Sequence, residues 1–322
     1  MPIVENIPKL VTVFGGSGFV GRHVVRELAK RGYRVRVAVR RPDLAGFVQP
    51  AGNVGQIQPV QANIRVRWSI DRAVEGASHV INLVGIAHES GRQTFAAVQD
   101  FGARAIAESA RAAGAGMTQM SAIGANPDSE SVYARSKAAG EAAVIETLPG
   151  ATIVRPSMIF GPEDKFFNRF ANMARFTPVL PIIGAETKFQ PVYVGDVAEA
   201  IARSVDGKAA AGIYELGGPE VLTFRQCMER MLEIIERKRM IVNMPWPIAS
   251  LQAALLGWLP NPMLTSDQVE LLRHDNVVST HAKEGRRTLE GLGIEADSID
   301  AILPSYLWTY RVAGQFTNDR LA

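Results

Sequence analysis

The sequence predicts an α/β protein: a doubly wound parallel sheet with helices on both faces, and a smaller, discontinuous C-terminal domain for substrate or interaction. Three observations predict it. Short β-rich runs and helix-periodic runs alternate through the first two thirds of the chain. A glycine-rich stretch lies directly between the first strand and the first helix. From Phe160 onward prolines crowd the sequence (Pro162, Pro178, Pro181, Pro191), as expected where a chain leaves a regular sheet to build over its carboxyl edge.

Each element follows from its residues. Leu10–Phe14 is a short apolar, β-rich run, 20–31 has the helical period, Arg34–Val39 alternates Arg with Val, and 79–84 is a further buried strand. Residues 101–113 read as a helix, 117–121 as a strand end, Val132–Thr147 as a helix, and 151–155 as a strand stopped by Pro156. No internal repeat or low-complexity tract interrupts this rhythm.

Composition narrows the class. At 322 residues, 47% hydrophobic, the chain can bury a large core. The net charge is +3, with 35 basic and 32 acidic residues interspersed, so nucleic acid is not expected as a partner. Cys227 stands alone, which excludes an internal disulfide and a Cys-based metal site and fits a reducing compartment. Glu5 and Lys9 leave no apolar core before the first strand, so no signal peptide is expected and the reading is cytoplasmic, or already processed.

The stretch Gly15-Gly16-Ser17-Gly18-Phe19-Val20-Gly21 carries the first chemistry. Glycines there permit a tight turn, admit a pyrophosphate and let helix pack on strand, while free N–H groups at the helix start bind negative charge. This is a Rossmann dinucleotide site, with Gly15, Ser17, Gly18, Phe19, Val20 and Gly21 as its binding residues. The second strand ends Val37-Ala38-Val39-Arg40-Arg41-Pro42, with no acid before Asp43 to accept from a ribose 2′-hydroxyl. Guanidinium groups suit a 2′-phosphate, so Arg40 and Arg41 predict NADP(H) over NAD(H).

Tyr133-Ala-Arg-Ser-Lys137 places a phenol and an ammonium on one helix face, where the cation lowers the phenol pKa and reaches ribose hydroxyls. Ser121, at the end of the preceding strand, completes a catalytic set with Tyr133 and Lys137. No metal site is expected: the five histidines, including His88, show no ligand spacing. Asp196 is expected to cap the helix after it.

These motifs, with Asn82-Leu83-Val84-Gly85, resemble the extended short-chain dehydrogenase/reductase superfamily. More narrowly, Arg155-Pro156-Ser157-Met158-Ile159-Phe160-Gly161-Pro162-Glu163-Asp164, Gln190-Pro191-Val192-Tyr193-Val194, Tyr214-Glu215-Leu216-Gly217-Gly218-Pro219 and Leu303-Pro304-Ser305-Tyr306-Leu307 resemble an atypical subgroup. It contains the NADPH-binding accessory subunit family of respiratory complex I (alpha subcomplex subunit 9) and its bacterial relatives. The resemblance implies residues 1–160 with about 191–217 as the NADP-binding domain and about 161–190 with 218–322 as the smaller one. It also adds Asn63, Val84, Gly85 and Pro156 to the cofactor-binding residues. Two departures stand out. Gln99 occupies the place of an Asn that completes the proton relay in active members, and Asn63 that of an Asp near the adenine.

Residues 240–266 contain no charge and follow Arg237-Lys238-Arg239. Prolines bracket a helix of about a dozen residues there, spanning roughly 18 Å against the roughly 30 Å of a bilayer core. It cannot cross. Ile248, Leu251, Leu255 and Leu259, with Trp258, form an apolar face that docks on a membrane surface or a partner, or packs as a lid on its own domain. Two functions follow from the resemblance. One is a complex I accessory or assembly subunit with NADPH as structural ligand, peripheral on the inner face of the membrane. The other is an NADP(H)-dependent reductase or isomerase of a carbonyl or quinone-like substrate, in ubiquinone biosynthesis.

Overall fold

The structure, a computed structural model, describes residues 8–256 and 265–312. Strand β1 (Leu10–Phe14) buries Val11, Val13 and Phe14 and runs into α1 (Phe19–Lys30), where Val20, Val24, Val25 and Leu28 form one buried stripe. β2 (Arg34–Val39) turns Val35 and Val37 inward, while Arg36 on its other face donates to the Ala73 and Glu75 carbonyls. Then come β3 (Ile57–Gln61), α2 (Arg67–Val74), β4 (His79–Asn82), a π-helical segment (Ala96–Asp100), α3 (Phe101–Ala112), β5 (Gly116–Met120), α4 (Val132–Thr147) and β6 (Thr152–Pro156).

Past β6 the chain forms β7 (Ile159–Phe160), α5 (Phe167–Phe176), β8 (Val179–Ile183), β9 (Lys188–Phe189) and β10 (Val192–Tyr193). Helix α6 (Val194–Val205) and β11 (Gly212–Leu216) follow. The remainder holds β12 (Leu222–Thr223), α7 (Phe224–Ile234), β13 (Met240–Met244), α8 (Trp246–Leu256), α9 (Ser266–Leu271), α10 (Thr280–Glu284), α11 (Ile299–Ile302) and α12 (Pro304–Leu307). The chain divides into two compact units, Met1–Arg155 with Val197–Tyr214 and Pro156–Asp196 with Glu215–Ala322.

In the first unit seven strands lie in the order β11-β6-β5-β4-β1-β2-β3, and the strands from β6 to β3 pair in parallel. From β1 the chain winds outward through β2 and β3, then returns to β4 on the other side of β1. That reversal opens a crevice at the carboxyl ends of β1 and β4, where such sheets bind ligands. Phe14, Ile70, Val80, Ile106, Met117 and Val144 fill one side of the sheet. β3 escaped the sequence reading because Gln58, Pro59 and Gln61 hide its apolar residues; an edge strand tolerates a proline that a central one would not.

The second unit has no large sheet. Phe160, Phe167, Phe224, Leu180, Met228, Leu303 and Leu307 make its core, with edge-to-face stacking such as Phe160 on Phe167 at 6.1 Å. The buried Asp164 carboxylate pins the 161–168 loop. It accepts from the Tyr306 hydroxyl at 2.6 Å and from the Phe166 and Asn168 N–H groups, while burial raises its pKa against those bonds. The Gly161–Asp164 and Leu303–Leu307 motifs are thus two halves of one tie.

Two expectations change. Helix α6 begins at Val194, so Asp196 lies within its first turn rather than at the position before it, and it accepts from the Asp297 N–H at 2.9 Å. The uncharged stretch opens as a strand, β13, paired in parallel with β8, before α8 begins. Ala249 and Ala253 of α8 pack on Ile183 and Val269 of the same unit, leaving Ile248 and Leu251 exposed. Trp258, Leu259 and the Leu255 side chain lie outside the described residues. Among the described residues no helix is long and apolar enough to cross a membrane.

Candidate functional site

The glycine turn is built from backbone. Gly15 adopts φ +79°, the left-handed region, and its carbonyl accepts from the Gly18 N–H at 3.0 Å. A Cβ on Gly21 would lie 2.2 Å from the Gly15 oxygen and 2.7 Å from Gly16, so only glycine lets α1 approach this closely. Gly18 caps α1 without a side chain, and the first turn carries no acid. Its amides and the positive end of the helix dipole therefore face outward to receive an anion. Phe19, Val20 and Gly21 form that first turn.

A cleft of about 490 Å³ opens from this turn across the carboxyl ends of β1, β2, β3 and β4. It gathers Gly15, Ser17, Gly18, Arg40, Arg41, Asn63, Val84 and Gly85 from scattered positions. Arg41 is exposed and pairs with Asp43 at 2.8 Å, which raises its pKa, while Arg40 donates to Gln93 Oε1 at 2.8 Å. Asn63 uses its side-chain oxygen on the Arg65 N–H, an Asx turn that shapes the bend after β3.

The cleft also holds a residue that sequence reading missed. Arg65 lines it and donates to the Arg92 carbonyl at 2.7 Å, so Arg40 and Arg65 both grip the 92–93 bend. Arg65 was unreadable because β3, whose end it follows, was unreadable. Ile86, Gln93 and Val98 complete the wall.

Helix α4 carries Tyr133 and Lys137 in its first two turns, and Ser131 caps it by accepting from the Ala134 N–H at 3.1 Å. Lys137 is buried and reaches the cleft: a Cβ on Gly85 would sit 3.2 Å from its Nζ, and that ammonium lies 5.7 Å from the Tyr133 ring centre. Burial pushes Lys137 down to about 8, against the pull of the Glu141 carboxylate one turn on. Glu141 is itself clamped by Arg155, at 2.8 and 2.5 Å. Phe95 stacks edge-on against Tyr133 at 6.1 Å. Ser121, just past β5, has a buried hydroxyl with no hydrogen-bond partner, a state that costs stability until a ligand supplies one.

Gln99 does not point a free amide at this set. Within the π-helical segment its Nε2 donates to the Ile86 carbonyl at 2.7 Å and its Oε1 accepts from Ser136 Oγ at 3.0 Å, bridging the cleft wall to α4. α4 presses so close that a Cβ on Gly140 would lie 2.2 Å from the Gln99 carbonyl oxygen. Pro156, grouped with the cofactor residues by sequence, ends β6 and opens the second unit. Among the described residues no group of three or more His, Cys, Asp or Glu is arranged to hold a metal ion.

The residues present fit a dinucleotide: a helix start with no side-chain cap, a turn in which Gly21 leaves no room for a Cβ, and an orphaned hydroxyl on Ser121. Comparison with known proteins agrees. The sequence model of the NAD dependent epimerase/dehydratase family matches residues 11–217. A mitochondrial NADH dehydrogenase [ubiquinone] 1 alpha subcomplex subunit 9 from Arabidopsis thaliana is 38% identical over 288 residues, 85% of this chain and 72% of that protein. A ceramide reductase from Caulobacter vibrioides is 31% identical, covering 95% of both chains. The solved structure of an NADPH-dependent quinone oxidoreductase from Escherichia coli, complexed with NADPH, superposes with a TM-score of 0.71 at 18% identity, over 92% of this chain and 98% of that one.

Proposed function

The chain belongs to the NAD dependent epimerase/dehydratase family, and from that premise we propose that it is an NADP(H)-binding accessory or assembly subunit associated with respiratory complex I. The observation that carries this reading is its 38% identity to an alpha subcomplex subunit 9 across 85% of the chain. NADPH acts as a structural ligand: binding only the folded state, it stabilises that state by mass action. Gln99 favours such a role, since both ends of its amide are already committed to Ile86 and Ser136. The protein sits peripherally on the inner face of the membrane, contacting it through residues 240–266. Copurification with complex I subunits from native membranes, with NADPH retained, is the expected result; a protein that purifies alone overturns the assignment.

Backbone amides at Gly18 to Gly21 hold the diphosphate, Arg40 and Arg41 the 2′-phosphate, Asn63 the adenine, Val84 and Gly85 the floor, and Lys137 the ribose hydroxyls. NADPH is preferred over NADH on that account.

A second reading is favoured by the unpartnered Ser121 hydroxyl, the 31% identical ceramide reductase, and the complete Ser121, Tyr133, Lys137 set. In it the chain is an NADP(H)-dependent reductase or isomerase of a carbonyl or quinone-like compound, in ubiquinone biosynthesis. Ser121 donates a hydrogen bond to the substrate oxygen, Tyr133 passes it a proton, and Lys137 tunes the phenol. Bound NADPH supplies the hydride. Turnover of NADPH with quinone-like carbonyl compounds, abolished in Tyr133→Phe with coenzyme binding retained, is the expected signature of this enzyme.

A further inference from the structure

We propose that the outer face of the β8–β13 pair, with the arginine cluster at its entrance, is a docking surface for an anionic lipid bilayer. This deepens the membrane contact proposed above and rests on it, narrowing the 240–266 contact to β13, adding its partner β8, and naming the lipid charge it needs.

The face follows from register. Met240 pairs with Val179 and Val242 with Pro181 in a parallel ladder, so these four side chains share one side of the pair. All four are exposed, Met240 at 66%, while Leu180 and Ile182 on the opposite side are buried in the core. A sheet covered on one face ordinarily shows polar residues on the other. Phe176, just before β8, is 75% exposed beneath the Arg175 guanidinium.

Basic residues gather at the start of both strands. Arg237, Lys238 and Arg239 lead into β13 and Arg175 precedes β8. Carbonyls rather than carboxylates aim them: Arg239 Nε donates to Ala174 at 2.8 Å and Arg237 Nε to Tyr310 at 2.7 Å. Burial first, then the charges of Arg239 and Arg175, hold the Arg237 pKa below its usual range, so these guanidiniums stand close enough to repel one another. Arg237, Lys238 and Arg239 share one cleft with Arg225 and with the acids Glu229, Glu233 and Glu236, of which Glu236 is engaged by Arg311 at 3.0 Å. Holding like charges together costs free energy that an array of phosphates returns. Phosphates bordering hydrocarbon are what cations bordering exposed Met, Val and Phe complement.

The test is co-sedimentation of the full chain with vesicles of phosphatidylcholine alone and of phosphatidylcholine with phosphatidylglycerol. Binding to the anionic vesicles only, weakening as salt rises, is expected. Lys238→Glu and Arg175→Gln should each lower partitioning about fivefold or more. Met240→Asp, at a position whose side chain is exposed, should remove it. Equal binding to neutral vesicles overturns the lipid-charge inference while membrane contact stands. Binding to neither overturns both, and anionic binding indifferent to Lys238→Glu and Met240→Asp overturns the assignment to this face.

Discussion

The two units are held together by different physics. In the first, aliphatic side chains repeat along six parallel strands, and the functional turn is backbone geometry: positive φ at Gly15 and missing side chains at Gly18 and Gly21. In the second, aromatic rings and a buried carboxylate bind short elements far apart in sequence, Asp164 to Tyr306 being the plainest case. Local sequence rules therefore decide the first unit, and long-range side-chain pairs decide the second.

That contrast can be broken most forcefully at Gly21. Gly21→Val drives a branched side chain into the Gly15 carbonyl, and coenzyme affinity should fall at least about 100-fold in an equilibrium titration, with about 1–3 kcal/mol of stability lost to overpacking. An equal loss of affinity from a change in the second unit would erase the distinction.

Lys137 gives the next effect, through pH. Its folded pKa of about 8 lies below the ordinary lysine value of 10.5, so in the ligand-free protein the unfolded state binds the proton more tightly. The resulting penalty is complete below pH 8 and is relieved as pH rises toward 10.5, a stability gain on the order of 3 kcal/mol. Denaturant titrations of wild type and Lys137→Met should differ by that rise, and parallel curves would show the ammonium to be solvated.

The second unit is sharpened by Tyr306→Phe. Removing the hydroxyl leaves Asp164 short of one partner in a buried site, which should cost about 2 kcal/mol in denaturant while leaving NADPH affinity unchanged. The smallest effect is expected at the mouth of the cleft. Arg40→Ala should weaken NADPH about tenfold and NADH hardly at all, with Arg41→Ala weaker still because Asp43 already engages that guanidinium. A larger loss from Arg41 would reverse the ranking.

Much of the site was legible because its residues obey local rules. A strand, Gly15 to Gly21 and a helix specify the phosphate turn with no knowledge of the remainder, and Tyr133 and Lys137 need only the helical repeat to share a face. Arg65 was not legible, since it depends on an edge strand disguised by Pro59 and two glutamines. Nor was the commitment of Gln99: its partners Ile86 and Ser136 lie in separate elements that only packing brings together.

The sequence alone determined the α/β rhythm, the glycine turn and the helix that carries Tyr133 and Lys137, because backbone conformation and short-range periodicity are encoded within a few residues. Tertiary structure alone decided that Lys137 is stripped of water, that Ser121 keeps an unanswered hydroxyl, and that Val179, Pro181, Met240 and Val242 share one exposed face. Burial and strand register are properties of residues distant in the chain, and no local pattern contains them.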